Sequence, residues 1–135
     1  MKPDNILVTN GQKTLKLGDF GSAFTIEENT ITPYLVARYY RAPEIMLGCA
    51  YDTAVDMWSA ACTIFELYTG KILFSGRDNN EMLKMIIQTK GRFNNKMLKR
   101  GEFSRQYFDN HHNFLSTEID PVTKEVRKRI IFTSN

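Results

Sequence analysis

The 135 residues are enough for one modest domain, and with 42% apolar and 12% aromatic residues they can bury a core instead of remaining disordered. The absence of an apolar run of about eighteen residues, and of a basic and apolar leader at the N-terminus, leads us to expect an intracellular chain without a membrane span. The net charge of +3 divides into −2 over residues 1–89 and +5 over residues 90–135, so the second part could meet an acidic partner or form a solvated basic surface.

Two cysteines, Cys49 and Cys62, occur without a CxxC pair or nearby spaced histidines. This pattern indicates neither a disulfide framework nor a zinc site, and we expect two buried thiols. His111 and His112 are adjacent on a polar stretch, so their side chains point in different directions. We therefore expect them to be exposed to solvent and not to bind a metal.

The first predicted element is a β-hairpin. Two short β-prone runs, residues 6–9 and 14–17, flank Asn10 and Gly11, which both tolerate positive φ. We expect this hairpin to bring Asp19 to the mouth of a cleft.

No helical or strand period persists from residue 22 to residue 40. Glu27, Glu28 and Asn29 precede a stretch rich in hydroxyl groups that includes Thr30 and Tyr34. Long ordered loops of this kind are usually functional, and we interpret this one as exposed.

A first long helix is predicted to begin at Thr53, because Thr53 and Asp56 have the spacing of a capping box. The following residues are apolar on nearly every face as far as Gly70, which favours a buried central helix.

A second helix should begin at Asp78 and Glu81 and end at Gly91. Its apolar residues at i, i+3 and i+4, which start at Met82, predict an amphipathic helix on the surface of the core. Beyond Gly91 basic and aromatic residues mix without a clear period, followed by a charged run from residue 124 to residue 129.

Three short motifs carry the chemistry: Lys2-Pro3-Asp4-Asn5, Asp19-Phe20-Gly21 and Ala42-Pro43-Glu44. Each alone could arise by chance, but their joint order and spacing could not easily do so. An amide oxygen from Asn5 and a carboxylate from Asp19 could converge on Mg²⁺, and Lys2 adds a positive charge for a phosphate.

This set of motifs resembles the lower lobe of a eukaryotic protein kinase. The resemblance implies an α+β fold, namely an incomplete, mainly α-helical C-terminal lobe with a small β-hairpin before Asp-Phe-Gly. Residues 1–135 would be a partial kinase domain. Its parts would be the end of the catalytic loop and the metal-binding hairpin (1–21), the activation segment (19–44), the core helices (53–91) and a truncated insert specific to one kinase group (92–135).

The resemblance also implies roles for individual residues. The family transfers the γ-phosphate of ATP to serine and threonine hydroxyls of proteins, with ATP and Mg²⁺ as cofactors. Asn5 and Asp19 would hold the metal, and Lys2 would contact the γ-phosphate. Phe20 would pack to set the active or inactive state, and Gly21 would be structural.

Residues 34–44 resemble the group that contains cyclin-dependent, MAP, glycogen-synthase and Clk kinases. By this resemblance Arg38 and Arg41 would bind a phosphate on Tyr34. The alternative is that Tyr34 is an ordinary loop tyrosine. Residues 31–36, 66–74 and 106–109 further resemble the pre-mRNA-processing kinases of the spliceosome. This likeness implies spliceosomal protein substrates and a nuclear location, with no direct binding to nucleic acid.

Three further residues would be structural in the family. Glu44 would pair with an arginine that lies outside this chain, Asp56 would be buried and hold the catalytic loop, and Trp58 would be its neighbour in the core. Ala37 departs from the group, which has serine or threonine there. This departure indicates either a weakened or inactive parent kinase or a copy that has drifted.

Met1 falls just after the position of the family's catalytic aspartate. The resemblance therefore implies that this aspartate and the upper lobe are absent from these residues, and we expect no measurable kinase activity from them alone. Two alternatives are a non-catalytic binding module that docks through residues 82–87 and the basic residues 127–129, and an inactive truncated product that does not fold stably.

Overall fold

The computed structural model describes residues 1–25, 27, 31–120 and 122–131. These residues form five α-helices and two antiparallel hairpins, and they confirm a mainly helical α+β architecture. Within the loop predicted over residues 22–40, Glu28, Asn29 and Thr30 lie outside the described residues. The elements in chain order are β1 (Ile6–Val8), β2 (Leu15–Leu17), α1 (Pro43–Leu47), α2 (Ala54–Thr69), α3 (Asn79–Lys90), α4 (Asn95–Arg100), α5 (Ser104–Tyr107), β3 (Phe114–Ile119) and β4 (Val126–Ile131).

The predicted N-terminal hairpin is confirmed, with β1 and β2 paired so that Ile6 faces Leu17. Its turn is closed by the Gln12 N–H, which donates to the Thr9 carbonyl at 2.8 Å. The left-handed residue is Gln12 (φ 52°), whereas the prediction relied on Asn10 and Gly11 for positive φ. The hairpin therefore forms as expected, but the residue with positive φ lies one position after Gly11.

Helix α2 differs from its prediction at its N-terminus. Thr53 precedes the helix but makes no side-chain capping bond, because its own backbone is already helical (φ −61°, ψ −12°). Asp52 substitutes for it: its Oδ1 accepts from the Ala54 N–H at 2.8 Å. The predicted capping box is therefore wrong. The burial expected of Asp56 is also wrong, because Asp56 is exposed.

Helix α2 is also not buried on all sides, as the sequence suggested. One face packs into the core through Val55, Ser59, Cys62 and Thr63. The opposite face is apolar and open, and Tyr68 is 90% exposed. The core side of α2 is contacted by the 3₁₀ turns Pro3–Asn5 and Arg38–Tyr40.

Helix α3 has the central position that was predicted for α2. It begins as predicted at Asp78, whose side chain accepts from the Glu81 N–H at 2.9 Å, and ends at Gly91 (φ 84°). Its apolar face is the centre of the main hydrophobic cluster and comprises Met82, Leu83, Ile86 and Ile87. Because residues 82–87 are used in the core, the alternative of docking through this helix is wrong.

The C-terminal part is more regular than its sequence suggested. Strands β3 and β4 pair in register from Phe114 opposite Ile131 to Ile119 opposite Val126. Phe114 is buried and meets the ring of Phe108 edge to face at 5.4 Å. This contact ties the hairpin to the core. Burial alternates along Phe114–Thr117, although the sequence of this strand does not alternate between apolar and polar residues.

Both cysteines are free and buried, which confirms that prediction. Burial raises the pKa of the Cys62 thiol to about 11, and burial also raises the pKa of Cys49. Within the part of the chain that the structure describes, no helix is long and apolar enough to cross a bilayer.

The two helix starts allow a direct test of capping. Replacing Asp78 with alanine should lower the free energy of unfolding by about 1 kcal/mol, because the Glu81 N–H loses its acceptor. The matched Thr53→Ala change should have an effect below about 0.5 kcal/mol, since Thr53 caps nothing. Urea denaturation of both variants measures the difference, and equal losses would contradict the assignment of the caps.

Candidate functional site

The start of the chain forms a tight turn that presents two polar side chains. Residues Pro3–Asn5 form a short 3₁₀ turn, in which the Asn5 N–H donates to the Lys2 carbonyl at 3.1 Å. The Lys2 ammonium lies 3.9 Å from the Asp4 carboxylate, which is exposed. Lys2 is thus oriented by a weak ion pair and keeps its charge near the turn.

Asp19 lies directly beside this turn. The Gly18 N–H donates to the Asn5 carbonyl at 2.8 Å, which extends the hairpin ladder by one bond beyond the strands. Asp19 itself is left-handed (φ 58°), and its Oδ1 accepts from the Gly21 N–H at 3.4 Å. Aspartate tolerates this conformation better than most residues, and here it turns the carboxylate back toward Asn5.

The Asn5 amide nitrogen and the Asp19 Oδ2 are 3.5 Å apart. Two ligands of one octahedral Mg²⁺ lie about 3 Å apart, as follows from metal–oxygen distances near 2.1 Å. The Asn5 amide nitrogen is a donor and cannot bind a cation, so the pair would share an ion once the amide turns its oxygen toward Asp19. The described residues contain no cluster of three or more His, Cys, Asp or Glu side chains that could hold a metal, and this includes His111 and His112. The candidate site therefore offers two protein ligands and leaves the other positions to water and phosphate.

Phe20 and Trp58, two of the residues expected to be structural, differ in whether they pack against the core. Phe20 is 69% exposed and packs on none of the described core clusters, so this structure shows no packing role for it. Trp58 does lie at the core, where its ring stacks on Phe74 at 5.8 Å. The Trp58 Nε1 is buried and has no hydrogen-bond partner among the described residues.

The end of the predicted activation segment is held by Arg41, which is buried. Its Nε donates to the Leu35 carbonyl at 2.9 Å, and its Nη2 donates to the Tyr34 and Val36 carbonyls at 3.2 and 3.0 Å. Its Nη1 donates to Asn79 Oδ1 at 2.6 Å. Burial lowers the pKa of Arg41, and the charge of Arg38 adds to this effect, but a guanidinium remains charged at neutral pH.

Tyr34 and Arg38 are on the outer side of the same segment. Tyr34 is 75% exposed and lies across the Arg41 guanidinium, whose carbon is 5.7 Å from the ring centre. Arg38 is exposed and forms no ion pair with any described residue. Val36 is left-handed (φ 67°), which is costly for a β-branched residue, and the bond from Arg41 to its carbonyl supports this backbone.

Glu44 is partly buried at the base of a groove of about 720 Å³. Burial raises its pKa from the ordinary value of 4.5, and the nearby Asp52 carboxylate raises it further. Lys96 and Arg100 also line this groove, but neither makes an ion pair with Glu44 in the part of the chain that the structure describes.

The sequence interpretation missed two polar anchors of the core. The Tyr40 hydroxyl donates to Glu66 Oε2 at 2.6 Å, and the Ser59 hydroxyl donates to the Tyr40 carbonyl at 2.7 Å. It also missed Asn79 and Asn80, the first two residues of α3, which are both buried. Two adjacent asparagines directly after a capping aspartate were the available signal, because amides seldom enter a core without partners.

Comparison with known proteins agrees with this arrangement. The family model for the protein kinase domain matches residues 1–129, so the chain belongs to the protein kinase family. It is 51% identical over 134 residues to the serine/threonine-protein kinase prp4 of Schizosaccharomyces pombe, and 49% identical over 128 residues to the serine/threonine-protein kinase prpf4B of Dictyostelium discoideum. These matches cover 98% and 95% of this chain but only 28% and 16% of the two relatives.

The environment of Glu44 predicts how stability depends on pH. As the pH rises above about 4.5, the unfolded chain loses the Glu44 proton before the folded chain does, so the free energy of unfolding should fall until the raised folded-state pKa is passed. Glu44→Gln should therefore raise the melting temperature at pH 7 by a few degrees. It should also reduce the decrease in the free energy of unfolding as the pH rises. Thermal melts from pH 4 to pH 8 measure the effect.

The exposed Glu102 provides a control. Glu102→Gln removes the same charge from an exposed position, so it should leave the pH dependence of stability unchanged. If Glu44→Gln were less stable than the original chain at pH 7, the carboxylate would have a partner that this interpretation does not include.

Proposed function

We propose that these residues form the metal-binding and substrate-facing part of a serine/threonine protein kinase, which transfers the γ-phosphate of ATP to protein hydroxyls. The observation that carries the proposal is the approach of Asn5 and Asp19 to 3.5 Å at the end of the first hairpin. Members of the protein kinase family generally use ATP and Mg²⁺ and act on proteins, and the chain belongs to that family.

The chemistry explains why this pair matters. Bound Mg²⁺ would neutralise charge that develops on the phosphates, and phosphoryl transfer depends mainly on such stabilisation and on positioning. Asn5 and Asp19 would hold the ion, because an amide oxygen and a carboxylate are hard ligands. Lys2 directly precedes the same turn and would place its ammonium near the terminal phosphate.

The substrates that we propose are proteins of the pre-mRNA splicing machinery, and the proposed location is the nucleus. Support comes from the resemblance of residues 31–36, 66–74 and 106–109 to the pre-mRNA-processing kinases. The identity of 51% and 49% to the two relatives supports the same kinase subgroup. The proposal includes no direct contact with nucleic acid and no membrane.

Metal binding can be measured on this chain alone. Addition of Mn²⁺ to the ¹⁵N-labelled chain should broaden the signals of the Asn5 side-chain amide and of the Gly18 and Gly21 amides, because these groups surround the proposed ion. Asp19→Asn should abolish the broadening, because it replaces the charged ligand with a neutral one.

Glu102→Gln is the matched control, since it removes one carboxylate that is remote from the pair and should preserve the broadening. Equal broadening in Asp19→Asn and in the original chain would reject the site. In a kinase assay of the protein that carries these residues, Asp19→Asn should lower phosphate transfer to a serine-containing protein by about a hundredfold or more.

We further propose that Tyr34 is a phosphorylation site that orders the segment around it. A phosphate adds about −1.5 to −2 charge, and the exposed Tyr34 hydroxyl is accessible to a modifying enzyme. Arg41 already donates four hydrogen bonds to carbonyls and to Asn79, so it has one N–H left to offer. The phosphate would therefore depend chiefly on Arg38.

This dependence is testable with a chain that is phosphorylated at Tyr34. Phosphorylation should raise the free energy of unfolding by about 1 kcal/mol, since an exposed charge pair contributes little more than this. Arg38→Ala should remove most of the gain, whereas Arg105→Ala, which removes an exposed charge from α5, should preserve it. Urea denaturation of the unmutated chain, Arg38→Ala and Arg105→Ala, each with and without the phosphate, decides the outcome. A gain that survives Arg38→Ala would reject the role of Arg38.

A further inference from the structure

The first turn of α3 carries two buried asparagines that contact different parts of the molecule. Asn79 is 7% exposed and Asn80 is 8% exposed, and both directly follow the capping residue Asp78. Asn79 faces the segment that precedes α1, whereas Asn80 faces the C-terminal hairpin. One helical turn thus contacts two regions that are far apart in the sequence.

Asn79 completes the set of bonds that holds residues 33–36. Its Nδ2 donates to the Pro33 carbonyl at 3.1 Å, while its Oδ1 accepts from Arg41 at 2.6 Å. Since Arg41 binds the next three carbonyls, four successive carbonyls are held by these two side chains. The position of the segment therefore depends on where Asn79 places the guanidinium of Arg41.

Asn80 binds strand β3 as a neighbouring strand would. Its Nδ2 donates to the Leu115 carbonyl at 2.8 Å, and its Oδ1 accepts from the Thr117 N–H, also at 2.8 Å. These two backbone groups are directed toward Asn80, on the side of β3 that faces away from β4. A single amide side chain thus satisfies one edge of the hairpin and fixes its distance from α3.

We propose that Asn79 and Asn80 form a connector through which the β3–β4 hairpin positions residues 33–36. Each amide makes two bonds in a buried setting, and breaking one leaves a polar group without water or partner, which is costly. A shift of the hairpin therefore moves the first turn of α3, and with it Arg41 and the segment it holds. Both asparagines are positioning residues and act through their neighbours.

Limited trypsin digestion of the chain measures the connection without reference to catalysis. Arg38 lies next to the held segment, and Lys84, in the middle of α3, reports unfolding of the core. The ratio of cleavage after Arg38 to cleavage after Lys84 should rise about tenfold in Asn79→Ala, since a buried bond to a charged group is lost. It should rise about threefold in Asn80→Ala, although Asn80 does not touch the segment.

Asn95→Ala, at an exposed asparagine that begins α4, is the control and should leave the ratio unchanged. Asn80→Asp keeps the acceptor for the Thr117 N–H and provides a milder variant if Asn80→Ala unfolds. An unchanged ratio in the Asn80 variants, or equal acceleration at both sites in each of them, would overturn the proposal. The ¹⁵N signal of the Arg41 Nε–H group gives a second measure, and it should shift in the Asn80 variants but not in Asn95→Ala.

The consequence for substrates rests on the proposed function. If residues 33–36 receive the protein substrate, Asn79→Ala in the protein that carries these residues should raise KM for a protein substrate about tenfold and leave KM for ATP unchanged. A raised cleavage ratio with an unchanged protein-substrate KM would overturn the role in the reaction. Failure of the unaltered protein to transfer phosphate would instead count against the proposed function, because the digestion result does not depend on it.

Discussion

The buried guanidinium of Arg41 is the interaction on which the arrangement of the molecule depends. Among the described residues it pairs with no carboxylate, and it donates instead to three successive backbone carbonyls and to the Asn79 side chain. A loop with the strained backbone of Val36 would otherwise leave those carbonyls unpaired beside the core. The loop, the start of α1 and the start of α3 are therefore joined at one residue.

The two functional regions of the chain differ in how firmly they are held. The segment at Arg41 is anchored to α3, whose apolar face is the centre of the core. The Asn5 and Asp19 pair instead lies at the end of a short hairpin whose strands are largely exposed, including Leu7 and Leu15. Regions with few buried contacts open at low free energy, so we expect the hairpin that carries Asn5 and Asp19 to be the more mobile in solution.

Much of the fold and of the candidate site followed from local signals in the sequence. The motifs around Asn5 and Asp19 indicated the kinase family, and the family match confirms it. The first hairpin and the start and end of α3 were correctly predicted, since turn residues and caps act within a few positions. The proximity of Asn5 and Asp19 was predicted as well, because one hairpin joins them.

The prediction of which helix is central was wrong for a physical reason. Composition shows that a helix is apolar, but it does not show which elements cover it, and α2 remains open on the side of Tyr68. The sequence therefore assigned the centre to α2, whereas packing gave it to α3. The burial expected of Asp56 failed for the same reason, because burial depends on neighbours that are distant in the chain.

The sequence by itself determined the family, the order of the motifs, the first hairpin and the limits of α3. Only the tertiary structure showed that Arg41 holds backbone carbonyls, that Asn79 and Asn80 bind opposite regions, and that Glu44 lies partly buried without a partner among the described residues. These features arise from contacts between residues that are between 5 and 46 positions apart. Local propensities carry no information on such contacts, because they form only when the chain has packed.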